Sequence, residues 1–73
     1  MDRAIHWDLV ALKLRKHRSF REIEKMTGVS RVHISRLSRG EVDQPKFEEG
    51  LRLLDMASDL LPDNEFQALR GEL

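Results

Sequence analysis

SFREIEKMTGVSRVHISRLSRG, residues 19–40, decides the reading of this chain. Ser19 is a strong N-cap, and Glu22 stands three residues later. That pair predicts a capping box: the hydroxyl accepts one orphan amide of the first turn, and the carboxylate returns to the cap's own amide. Phe20, Ile23 and Met26 supply an apolar side at helical spacing. Gly28 follows with the left-handed backbone that a sharp helix stop requires. Val29 is an apolar plug, and Ser30 caps a second helix whose inward residues are Ile34 and Leu37. Arg39-Gly40 closes it. Two short capped helices with a glycine turn between them are therefore expected.

Advancing about 100° per residue from Ile34, the second helix divides cleanly. Leu37 stays inward. Val32, Ser35, Arg36 and Arg39 point away, and Arg31 sits in the first turn, where a helix tip reaches outward. An ordinary solvated face would also be polar, but this one combines arginines, a hydroxyl and a small apolar group. Those are the groups that complement base edges: arginine bidentate to guanine, serine adaptable, a small apolar side chain against the thymine methyl.

The stretch resembles the helix-turn-helix of the lambda-type phage repressor and Cro family, the XRE-like regulators. The matching residues are Ile23, Gly28, Val29, Ser30, Ile34, Ser35, Arg36, Leu37 and the closing Arg39-Gly40. The likeness runs from about Leu9 to Ala57, roughly two thirds of the chain. Two positions depart. Glu24 stands where the family usually has alanine at the helix crossing. Phe20 stands where many members have a glutamine that bonds a phosphate, so one phosphate contact is missing. The resemblance implies an all-α, lambda-repressor-like domain that binds double-stranded DNA as a homodimer. It implies Arg31, Val32, Ser35 and Arg36 on bases, and Lys16, Arg18, Arg21 and Arg39 on phosphates.

Charge supports that expectation. The 73 residues carry 13 basic and 13 acidic side chains, a net charge of zero. The distribution is lopsided: nine basic residues against two acids between Lys13 and Arg39, then nine acids against three bases from Gly40 to Leu73. A basic face toward DNA and an acidic face away would both attract and orient the protein.

The remainder reads as further helix in a single domain, residues 1–73. Ile5, Leu9 and Leu12 share a face in a first helix expected from near Ile5 to His17, with Trp7, Val10 and Leu14 to the side. Lys13, Lys16 and Arg18 gather near its end, which suits the helix dipole and lies at the entrance to the motif. Pro45 fits the start of a fourth helix. Phe47, Leu51, Leu54 and Ala57 give it one apolar face, which also carries Gly50; Leu53, Met56, Leu60 and Leu61 make a second. A helix-interior glycine costs about 1 kcal/mol against alanine, which points to a close helix approach at Gly50. After Pro62, with Asp63 as cap, a last short helix presents Phe66, Leu69 and Leu73. These either cover the core or, within residues 58–73, form the dimer interface. The whole is a bundle of about five helices.

Other classes fit less well. There are no cysteines, so disulfides and zinc–thiolate sites are excluded. His6, His17 and His33 lack metal-ligand spacing, and no glycine-rich phosphate loop or nucleophile–base pair is visible. No metal, cofactor, small-molecule substrate or enzymatic activity is expected. No apolar run approaches membrane-spanning length and no signal-peptide pattern opens the chain, which points to the cytoplasm, at the nucleoid. Small size without an effector domain suggests a Cro-like or minimal phage repressor. An antitoxin-type autorepressor that docks a toxin through the C-terminal segment, and a protein–protein module on the same fold, are the alternatives. His33, on the flank of the recognition helix, is expected at the surface or near a phosphate.

Overall fold

The computed structural model describes residues 5–42 and 44–69. Among them there are five helices and no strand: α1 (Trp7–His17), α2 (Phe20–Thr27), α3 (Arg31–Ser38), α4 (Phe47–Leu60) and α5 (Asp63–Leu69). Helix α1 is the hub and packs against all four others; α3 and α4 share the core and approach at His33 and Glu49. The N–H of His6 donates to the carbonyl of Leu69 at 2.8 Å, which ties the start of α1 to the end of α5.

The α2–α3 unit folds as its local signals dictate. The Ser19 hydroxyl accepts from the Glu22 amide at 3.1 Å, and the Glu22 carboxylate accepts from the Ser19 amide at 3.0 Å. Gly28 adopts φ 79°, and its amide donates to the Glu24 carbonyl at 2.7 Å. Val29 is fully buried, and the Ser30 hydroxyl accepts from the Val32 amide at 3.2 Å. Ile23, Ile34 and Leu37 enter the core as their spacing requires.

Several face assignments change. In α2 the buried partner of Ile23 is Thr27, and Met26 is 62% exposed. Position 27, seven residues after Phe20, matches the helical period better than position 26. The threonine is tolerated inside because its hydroxyl donates to the Ile23 carbonyl at 2.7 Å and accepts from the Val29 amide at 3.1 Å.

Helix α1 begins at Trp7 rather than Ile5 and buries Val10, Ala11 and Leu14; Leu9 and Leu12 are exposed. Both stripes satisfy helical spacing. The one that wins contains Ala11, whose small side chain suits a helix surrounded by four neighbours. Helix α4 starts two residues after Pro45. Its core contributors are Gly50, Leu53, Met56 and Ala57, the seam between the two expected faces. Phe47 is 80% exposed, and Leu51 is exposed as well. Asp63 is the first residue of α5 rather than its cap. Leu69 is buried to 1% exposure in the core, so it offers no surface to a second subunit. Phe66 is half-buried against the same core, and Leu73 lies outside the described residues.

The close approach at Gly50 is present. A Cβ there would stand 2.9 Å from the tip of the Trp7 indole and 3.4 Å from the Pro45 ring. Gly50→Ala should therefore forgo the roughly 1 kcal/mol that alanine usually gains in a helix. It should also displace Trp7, the sole tryptophan, and red-shift its fluorescence. An unchanged spectrum with a gain in stability would show that the indole yields freely.

The cap bonds to Ser19 hold the Glu22 carboxyl below its ordinary value. A depressed folded-state pKa contributes stability that is complete above the unfolded carboxylate range and is lost as pH falls through the folded value. Glu22→Gln should accordingly lower Tm at pH 7 and converge with the parent only in acid, below the depressed folded-state value. Thermal unfolding at the two pH values checks this; a difference that persists in acid would assign the effect to packing.

Candidate nucleic-acid interface

Helix α3 turns Ile34 and Leu37 into the core, which leaves Arg31, Val32 and Arg36 in solvent; Val32 is 57% exposed. Ser35 and Ser38 are half-buried on its flanks, and the Ser38 hydroxyl is spent on the Ser35 carbonyl at 2.6 Å. Phe20 at the start of α2 faces this helix. Together Phe20, Arg31, Val32, Ser35 and Arg39 line one shallow, largely apolar hollow. Four of the eight sequence-predicted base and phosphate residues thus converge on one feature. Arg36 stands outside it.

Phe20 takes the place where the resemblance would have put a phosphate-bonding amide. Its ring forms the hollow's apolar wall instead and carries the Arg15 guanidinium 5.6 Å from its centroid. Arg15, overlooked as a site residue in the sequence, therefore joins the rim of the basic face. The signal was available: position 15 stands one turn before the capping box.

The other cations are arranged unequally. Lys16, Arg18 and Arg21 are exposed around the α1–α2 junction. Arg18 donates from Nη1 to the His17 carbonyl at 2.8 Å, which covers the open end of α1. Lys13 is drawn away by an ion pair with Glu65 of α5 at 3.3 Å. That pair links α1 to α5.

Arg39 differs most from its reading as a free cation. Its Nε donates to Glu41 Oε2 at 2.7 Å and its Nη1 donates to Ser35 Oγ at 2.8 Å. The pairing holds Glu41 below the usual carboxylate range and raises Arg39 further. His33 is half-buried against α4, with Nε2 3.7 Å from Glu49 Oε1 and no hydrogen bond. It faces the bundle, so the expectation of an exposed, phosphate-flanking imidazole is corrected.

Chemically, the exposed side of α3 offers guanidinium donors, a hydroxyl and an apolar wall within one helix width. That combination complements acceptors and methyl groups on a polyanion's base edges. It contains no general acid–base pair. Among the described residues no group of histidine and carboxylate side chains is arranged to hold a metal ion, and no helix is long and apolar enough to cross a membrane. Comparison with protein-family models, with curated proteins and with solved structures finds no match.

Proposed function

We propose that this protein is a sequence-specific, double-stranded DNA-binding transcriptional regulator. In this reading α2 and α3 are a helix-turn-helix of the lambda-repressor type, and α3 lies in the major groove. The observation that carries the reading is the geometry of α3: a helix fixed at both ends, apolar toward the core, presenting Arg31, Val32, Ser35 and Arg36 outward. Arg31 and Arg36 are the bidentate donors for guanine. Val32 and Phe20 form a wall for a thymine methyl, and Ser35 reads a base edge. Lys16, Arg18 and Arg21 hold phosphates and set register without reading sequence.

Such a domain works as a homodimer on a near-palindromic site, with half-sites about one helical turn, roughly 34 Å, apart. The burial of Leu69 in the core supports its reading as core cover and leaves Phe66 as the more exposed of the two at that end. Occupying a promoter-proximal site would exclude polymerase, the action of a Cro-like or minimal repressor.

Selection of duplexes from a randomised library, followed by fluorescence anisotropy across a salt series, tests the reading. The selected duplex should bind about a thousandfold or more tighter than a shuffled one, with a steep salt slope. Equal binding to both would overturn it. Arg36→Ala should cost about 1–3 kcal/mol and relax one base pair; a loss uniform across sequences would make Arg36 a phosphate contact. Lys16→Gln should weaken every sequence alike and reduce the salt slope by about one. A slope that does not change removes Lys16 from the interface.

A further inference from the structure

The end of α3 folds back on itself. Gly40 adopts φ 74°, its amide donates to the Leu37 carbonyl at 3.0 Å, and the Glu41 amide donates to the Arg36 carbonyl at 3.0 Å. This is a Schellman closure, in which the residue after the glycine returns over the last turn of the helix. The returning residue often packs an apolar side chain there. Here it is Glu41, and its carboxylate engages Arg39 through both Nε, at 2.7 Å, and Nη2, at 3.5 Å. The remaining edge of the guanidinium donates to Ser35 Oγ at 2.8 Å. Glu41, Arg39 and Ser35 form a relay from the helix end to the middle of the outward face.

We propose that Glu41 is a specificity-determining positioning residue: through Arg39 it holds the Ser35 hydroxyl as a hydrogen-bond donor facing the hollow, where it selects an acceptor on a base edge. The inference rests on the DNA-binding reading of α3 and deepens it. A hydroxyl has one hydrogen to give and two lone pairs to receive. Arg39 occupies one lone pair, and among the described residues the Ser35 hydroxyl hydrogen has no protein acceptor. A cationic donor on the oxygen polarises the O–H bond, which strengthens Ser35 as a donor and weakens it as an acceptor. Purine N7, guanine O6 and thymine O4 are the edges that fit, and the cytosine amino group is disfavoured. The same pairing opposes Arg39's charge and occupies its Nε and Nη2 donors. Arg39 is thereby withdrawn from the phosphates, which suppresses sequence-independent affinity.

Two measurements on the full chain test this. In the free protein, nitrogen-resolved NMR of the arginine side chains should show the Arg39 Nε–H exchanging with water several-fold faster in Glu41→Gln. Identical exchange in parent and variant would overturn the clamp. On the duplex selected from a randomised library, Ser35→Ala identifies the base pair that Ser35 reads. Glu41→Gln should lose about tenfold discrimination at that same pair, add about one to the salt slope and bind the shuffled duplex more tightly. The double variant should lose no more discrimination than Ser35→Ala alone. Discrimination and slope left intact by Glu41→Gln, on a duplex the protein still prefers, would overturn this inference and leave the DNA reading standing. A library that yields no preferred duplex would overturn both.

Discussion

The turn from Thr27 to Ser30 is the constraint on which the exposed face of α3 depends. Four consecutive residues each settle one degree of freedom. Thr27 bonds backward to the Ile23 carbonyl and forward to the Val29 amide, so the exit from α2 has a defined geometry. Gly28 takes the left-handed conformation that other residues pay about 1–2 kcal/mol to enter. Val29 plugs the core, and Ser30 starts α3 at once. No slack remains between the helices. The direction of α3, and hence which side chains meet solvent, follows from this turn together with the burial of Ile34 and Leu37.

That rigidity would be useless without a platform, and α1 supplies it. A chain of this length has little interior, and each buried aliphatic side chain contributes about 1.5–3 kcal/mol. Val10, Ala11 and Leu14 place one stripe against four other helices, so a single short segment is used repeatedly. Helices α1 and α5 are then joined by the His6–Leu69 backbone bond and by the Lys13–Glu65 pair. The exposed ion pair contributes little by itself; the burial of Leu69 is the larger tie between α5 and the core.

Signals that act over three or four residues were legible in the sequence, and those that depend on what lies opposite were not. The capping box, the left-handed Gly28 and the Val29 plug each follow from local stereochemistry, and all three are present; the Gly50 approach was legible only because a helix-interior glycine is costly, and its partner Trp7 was not. The burial of Leu14 over Leu12, or Thr27 over Met26, depends on helix phase relative to neighbours whose positions the spacing does not contain. Apolar excess made this worse in α4, where two stripes compete and the core takes the seam between them. At the candidate site, the outward direction of Arg31, Val32 and Arg36 was readable from α3 alone. The wall formed by Phe20 and the return of Glu41 were not, because each depends on a backbone reversal.

The reversal at Gly40 also shows why counting formal charges overstates a basic face. Nine basic residues lie between Lys13 and Arg39, yet they are not equally available to a polyanion. Lys13 is turned to Glu65, and Arg39 is held by an acid just beyond the segment counted. Neutralising a cation locally removes its share of counterion release, while its hydrogen bonds remain as geometry. In the proposed interface, charge would thus be divided between attraction and orientation. On that proposal, the acid that follows Gly40 would move one arginine from the first role to the second.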